Sequence, residues 1–349
     1  MPRSFSSLSR FTATSSAAAA LLFAACAEPT SAPNRAISPG AANNTQSPDL
    51  NNQPGQIHYF HVRSWNPDGD ASNGAGGGGG LNSTIVYHGG PVLQSGTNVA
   101  AVYWASSRIF AGGPAVGTSG SGSSDGSLVG FFLSHLGGSP YFNINSTYTD
   151  GSGRAIVNSV AYTQYWANGT NAPSGTQSVS DAQMVAMLQS GFNTGALTYD
   201  ASTVYAIFTS GKVNLGGGFG TQYCAYHTHG TVTINGVSKT VLYAAMPYNY
   251  AYPSACTSGF SPANGATDPG ADYEVNTLAH EVEESTTDML GTAWFDRRGY
   301  ENADKCAWTW GTTYTTAAGG AANMSLGGTD FLVQRNWVNV GSGGCALSH

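Results

Sequence analysis

His280-Glu281-Val282-Glu283-Glu284 sets an imidazole and a carboxylate four residues apart, with a further carboxylate directly after the histidine. Five of the chain's six glutamates fall between Glu274 and Glu301, and ten of its nineteen carboxylates between Asp268 and Asp304, although only 9% of residues are charged. Like charges at that density repel unless a cation sits among them. Only Arg297, Arg298 and Lys305 lie nearby in sequence, so a bound metal ion is the sharp expectation. On a helix, positions i and i+4 share a face, so His280 and Glu284 can both reach one ion with Glu281 beside them. Three protein ligands leave room for a water whose pKa falls to about 7 on zinc. Glu281 is then placed to take its proton as general base. Glu301 is the first choice for the third ligand, with Asp304, Asp288 and Asp296 as competitors. Zn2+ is the expected ion. A Ca2+ site built from oxygens in the same stretch is the alternative, and a solvated acidic helix face with no metal is the plain one. With eight histidines and six glutamates in 349 residues, chance supplies about 0.002 matches to H-E-x-x-E.

The pattern resembles the H-E-x-x-H zinc enzymes with Glu in place of the second His. Tyr300-Glu301-Asn302-Ala303-Asp304 is similar to the second motif of thermolysin-like zinc peptidases, where a Glu ligand follows the first motif. That resemblance implies a zincin-like hydrolase, first of all a peptidase, with a peptide or cell-wall substrate.

The element that must carry this chemistry is a helix. Asp268-Pro269 is a good start, with Asp as cap and Pro at the first turn, and Gly291 is a stop. At 100° per residue Val275, Leu278, Val282 and Met289 share one side. Thr277, His280, Glu281, Glu284 and Asp288 share the other, and Glu283 lies off it. The pattern predicts one buried and one presented face. Before it come strand-like Asn98 to Trp104, a helix over Ser127 to Leu136, a strand over Ala161 to Trp166 and a helix from Asp181 through Gln189. Ser202 to Phe208 is a buried strand, and Gln222 to Met246 alternates around an Asn235-Gly236 hairpin turn. This order predicts an α/β fold: one sandwich with a mixed, partly parallel sheet.

Two further motifs lie outside the acidic stretch. Tyr87-His88-Gly89-Gly90-Pro91-Val92-Leu93 opens the folded part, and Tyr223-Cys224-Ala225-Tyr226-His227-Thr228-His229-Gly230 lies in its middle. Together they resemble the phosphate-induced protein 1, or EXORDIUM, family over about Tyr87 to Cys345. Here the chain is similar to a bacterial member with a zincin-like H-E-x-x-E segment added. The resemblance implies an extracellular protein and names no reaction. His227 and His229 alternate on a strand and so face one way, as metal ligands, substrate binders, supporting groups or a proton relay, or as structural hydrogen-bonders. His88 before two glycines reads as a turn.

The remaining composition bounds the setting. A net charge of −7 and a pI near 5.5 argue against nucleic acid as partner. Residues 1–26 read as an export signal ending in a lipobox-like Leu22-Phe23-Ala24-Ala25-Cys26, with Cys26 as lipid carrier. A membrane enters only through that anchor. Residues 27–80, rich in Asn, Pro, Ser and Gly, read as a flexible tether holding a short strand over 57–62. Residues 81–349 read as the domain, with the metal segment at 268–306. Localisation is then the cell envelope or outside. Cys224, Cys256, Cys306 and Cys345 are an even set, expected to pair as neighbours, Cys224 with Cys256 and Cys306 with Cys345. A second function class is a non-catalytic cell-surface or carbohydrate-binding protein, with Trp294, Trp308 and Trp310 as sugar platforms and the acidic helix structural.

Overall fold

The computed structural model describes residues 57–64 and 84–349. The signal segment with Cys26 and most of the tether lie outside the described residues. In chain order the strands that matter here are β1 (His58–His61), β2 (Val86–Tyr87), β3 (Thr97–Trp104), β4 (Ser119–Ser121) and β5 (Val160–Asn168). Then follow β6 (Thr203–Phe208), β7 (Tyr223–Ile234), β8 (Val237–Met246) and β9 (Trp294–Phe295). The helices are α1 (Leu128–Leu136), α2 (Asp181–Thr194), the short α3 (Pro253–Cys256) and α4 (Pro269–Thr287).

Seven strands form one mixed sheet in the order β1-β7-β8-β6-β3-β5-β4. The four central strands are parallel, and β7, β1 and β4 run antiparallel to their neighbours. The mixed α/β fold expected from the element order is thus present. Period-two alternation sorts each central strand between two cores. Val99, Ala101 and Tyr103 of β3 face α1 and α4, while Ala100, Val102 and Trp104 face α2. The β7–β8 hairpin turns on Asn235 and Gly236, both at positive φ (51° and 77°), as a two-residue turn with the strand twist demands.

Three expectations change. Residues 58–61 are not part of a tether: β1 pairs with β7 at the edge of the main sheet, and Phe60 is fully buried. The main sheet therefore draws on residues that lie before the expected boundary at 81. Helix α4 starts as expected, with Asp268 accepting from the Ala271 N–H and Pro269 in the first turn. It does not present a solvated face. All its residues but Pro269 and Tyr273 are buried, because the polar side meets β1, β7 and the chain after residue 295. Finally, Trp308 and Trp310 are buried in the core, and Trp294 is half-buried with its N–H donated to Thr149 O at 2.7 Å. These rings are not exposed sugar platforms.

The motif around His88 closes the domain entrance. His88 stacks on Phe295 with ring centroids 3.7 Å apart, and a Cβ on Gly90 would stand 2.2 Å from Thr292 Oγ1. Both neighbour disulfides are formed, Cys224–Cys256 and Cys306–Cys345, with Cα separations of 5.4 and 5.6 Å. That is ordinary disulfide spacing, and it is compatible with an oxidising, extracellular setting. Among the described residues no helix is long and apolar enough to cross a membrane.

Candidate metal centre

Four pieces of chain converge on the polar side of α4. Strand β1 brings His58, β7 brings His227, α4 brings His280, Glu281 and Glu284, and the loop after β9 brings Glu301 and Asp304. The β1–β7 register sets His58 opposite His227, their rings stacked at 5.2 Å. The loop is docked by its own backbone: Asp304 N donates to Glu284 Oε1 at 2.9 Å, and Glu301 N to Asp304 Oδ2 at 3.2 Å. The Cys306–Cys345 disulfide fixes its far end. His280, Glu281, Glu284 and Glu301 have no exposed surface, and His58, His227 and Asp304 have 3%, 2% and 6%.

The donor atoms fall into three overlapping groups: His58, His227 and Glu301; His227, Glu281 and Glu284; His280, Glu284 and Asp304. His58 Nδ1 lies 2.6 Å from Glu301 Oε2, and His227 Nε2 lies 3.5 Å from the same oxygen. His227 Nδ1 is 3.2 Å from Glu281 Oε2 and 3.6 Å from Glu284 Oε2. His280 Nε2 is 3.1 Å from Glu284 Oε2 and 3.5 Å from Asp304 Oδ1. Donors of one tetrahedral zinc stand about 3.3 Å apart, given bonds of about 2.0 Å. All but the 2.6 Å contact therefore match the spacing of shared ligands. Several of these atoms lack any hydrogen bond of acceptable geometry: both nitrogens of His58, Nε2 of His227 and His280, Glu284 Oε2, Glu281 Oε1 and both oxygens of Glu301. A buried polar atom left so costs about 1–3 kcal/mol, and a charge more.

The electrostatics follow from burial. Desolvation pushes the Glu281 and Glu301 carboxyls well up, and Glu284 to about 7, with neighbouring carboxylates adding to each. Desolvation pulls His227 well down and His58 to about 4, so both imidazoles stay neutral with a free lone pair. For His280, burial opposes the charge but Glu284 and its neighbours outweigh it, pulling the ring up. A second contact works against double protonation. The Gln334 amide nitrogen donates to Ala303 O at 2.8 Å and lies 3.0 Å from His280 Nδ1. An amide N–H cannot accept, so Nδ1 must, and the His280 proton sits on Nε2 facing Glu284.

Of the expected set, His280 and Glu284 come together, with the competitor Asp304 as their third donor. Glu301 joins His58 and His227 rather than His280 and Glu284, and Asp304 takes its place. As Gln334 is held, His280 Nε2 carries a proton where a ligand needs a lone pair. Asp288 and Asp296 stand outside the donor groups, Asp296 and one oxygen of Asp288 being taken up by turns while Asp288 Oδ2 is left without a hydrogen bond. Asp288 Oδ1 accepts from Thr292 N and Ala293 N at 2.6 and 2.7 Å. Asp296 Oδ1 accepts from Arg298 N and Tyr300 N, and Lys305 Nζ and Arg298 Nε reach Oδ2 at 3.4 and 3.8 Å. His229 shares the strand face of His227 but is half-buried and outside the three groups.

Sequence reasoning missed His58, Gln334 and Asn336. His58 had a signal: His58-Tyr59-Phe60-His61 alternates with aromatic residues, a strand-like run inside a stretch otherwise poor in them. Gln334 and Asn336 had none, since only the fold brings them to α4. No family model matches the chain, and neither a curated protein nor a solved structure matches it.

Proposed function

We propose that this is an exported, non-catalytic cell-surface metalloprotein of the EXORDIUM type, in which a buried zinc ion ties the acidic helix to β1, β7 and the Glu301 loop. The observation that carries this reading is the set of orphaned donors with at most 3% exposure. Such donors are completed by a cation, and structural zinc sites are closed whereas catalytic ones keep an open position. Three histidines among the donors favour zinc over calcium, which takes oxygen ligands. The Tyr87–Leu93 and Tyr223–Gly230 motifs support the family, and the disulfides and the Cys26 lipobox support export with a lipid anchor. The test is elemental analysis of the purified chain together with hydrolysis of a broad peptide library. One equivalent of zinc without turnover is expected; protein that is metal-free and cannot be loaded would sink the reading.

A second reading, a zinc-dependent peptidase, rests on one observation: His280, Glu281 and Glu284 keep the motif's spacing, and Glu281 Oε1 is unpartnered beside them. Under it Glu281 is the general base. Measurable hydrolysis that falls at least about 10²-fold in Glu281→Gln, with zinc retained, would establish this reading over the first.

A further inference from the structure

We propose that the metal position of this chain is the set His58, His227 and Glu301, with Glu281 orienting His227, rather than the pair His280 and Glu284. The inference rests on the reading that the buried cluster is a metal centre, and it fixes where the ion sits.

The first argument is the count of unsatisfied atoms. Among the three donor groups, this one has every donor it needs orphaned and aimed inward: both ring nitrogens of His58, His227 Nε2 and both Glu301 oxygens. The second argument is the tautomer. His227 Nδ1 lies 3.2 Å from Glu281 Oε2 in hydrogen-bonding geometry. Where Glu281 accepts in that contact, the proton of the neutral ring is on Nδ1 and the Nε2 lone pair is left for the Glu301 side. Metal-bound histidines characteristically donate the other N–H to a carboxylate, which fixes the ring and raises its basicity. His280 is arranged the opposite way, since Gln334 donates to its Nδ1. The third argument is distance. His227 Nε2 and Glu301 Oε2, 3.5 Å apart, already match the spacing of two tetrahedral ligands. The 2.6 Å contact of His58 with Glu301 is tighter and must open by roughly 0.7 Å to admit the ion. Turning the Glu301 carboxylate about its last torsion, a soft one, serves that.

The ligand set has a consequence for the fold. It draws on a four-residue edge strand, its neighbour β7 and a loop near the C-terminal disulfide. An ion there pins β1 to the sheet, and with it Phe60, whose ring packs on His280 and Trp308 at 4.1 and 4.6 Å.

The experiment is zinc stoichiometry and affinity on the full chain and on His58→Gln, Glu281→Gln and His280→Gln, with an anomalous diffraction map of wild type at the zinc edge. His58→Gln should lose stoichiometric zinc, Glu281→Gln should bind roughly 10–100-fold more weakly, and His280→Gln should keep its zinc. The anomalous peak should lie within bonding distance of His227 Nε2 and His58, which decides the matter even where a variant fails to fold. Zinc kept by His58→Gln but lost by His280→Gln, or a peak on His280 Nε2, overturns the inference and leaves the metalloprotein reading standing. A wild type that binds no zinc overturns both.

Discussion

Two kinds of buried carboxylate occur in this molecule, and they are finished differently. Asp125, at the start of α1, accepts from the hydroxyls of Tyr103 and Tyr162 and from Ser127 N. Asp181, half-buried on the opposite face of the sheet, accepts from Tyr226 and Tyr243 at 2.8 and 2.6 Å. Each is supplied with donors by the chain itself. Glu301 is more deeply buried than either, and neither of its oxygens is so supplied. Burial alone therefore does not mark a ligand-binding carboxylate, because the fold readily finishes one from within. The mark is a buried acid that the fold has left open beside neutral imidazoles. That difference turns a motif-level suspicion into a location.

Removing the metal should produce the largest effect. If the open carboxylates are completed by an ion, a strong chelator should lower the melting temperature by at least about 10 °C, since structural zinc contributes several kcal/mol or more. Asp125→Asn should cost about 1–3 kcal/mol and leave the size of the chelator effect unchanged, because its cluster is closed without an ion. Thermal melts of the two proteins with and without chelator check both. An unmoved wild-type melting temperature would erase the distinction between the two kinds of carboxylate.

Next come the disulfides, which brace the open centre from two sides. Cys224–Cys256 closes a loop over 32 residues of sequence and holds β7 three residues before His227. Cys306–Cys345 spans 39 residues and holds the loop that carries Glu301 and Asp304. In the chain-entropy model each Ser–Ser replacement costs about 4 kcal/mol. Removing Cys306–Cys345 should also weaken zinc binding, whereas the Asp125 cluster should be indifferent to both. Denaturant titration with and without zinc measures the two effects separately.

A third effect depends on pH. Glu274 lies two turns before Glu281 on α4, its Oε1 unpartnered and its Oε2 accepting only a 3.2 Å bond from Asn249 N. Burial raises its carboxyl from 4.5 to about 8. Between those values the folded chain holds a proton that the unfolded chain has released. Its contribution is thus fully present below about pH 4.5 and is lost as pH rises through about 8, on the order of 1.4 kcal/mol per pH unit. Glu274→Gln cannot ionise, so its stability relative to wild type should grow steadily from pH 5 to 8. Denaturation at several pH values tests this; a constant difference would mean that Glu274 is ionised in the fold. Held neutral by burial, Glu274 needs no ion to exist, and the growing difference would sharpen the comparison onto the residues around Glu301.

The sheet, the start of α4 and the disulfide pairing were legible because each is written locally, whereas α4 ends at Thr287, short of the expected stop at Gly291. Strands such as Thr203–Phe208 carry continuous apolar runs, Asp268-Pro269 is a capped helix start, and the cysteines pair with their sequence neighbours. His280, Glu281 and Glu284 were legible as one turn of helix. The complete set was not. Helical spacing says which side of α4 a residue occupies, but not that a second polar layer covers that side. Hence Glu284 was paired in expectation with Glu301, when the loop geometry delivers Asp304 to it and Glu301 to two histidines lying 243 and 74 residues earlier in the chain. His58 was hidden because composition averaged over residues 27–80 outweighed six strand-like residues inside them.

Glu283 gives the smallest expected effect and the finest form of the comparison. Helical phase sets it apart from His280, Glu281 and Glu284, which suggests a solvated side chain tolerant of change. It is instead fully buried, with Oε2 accepting from Asn336 Nδ2 at 2.9 Å. Burial pushes its carboxyl well above the usual range, which favours the uncharged form as a hydrogen-bonding partner. Gln has the same shape and keeps the acceptor, so Glu283→Gln should change stability by less than about 1 kcal/mol and leave zinc binding alone. Glu283→Ala removes the acceptor and leaves the Asn336 amide unpaired, at about 1–3 kcal/mol, where a solvated position would show about 0.5 kcal/mol or less. Chemical denaturation of the two variants separates these cases. A Gln variant that costs as much as Ala would mean that Glu283 is ionised in the folded chain, and the open centre would then extend one residue further along α4.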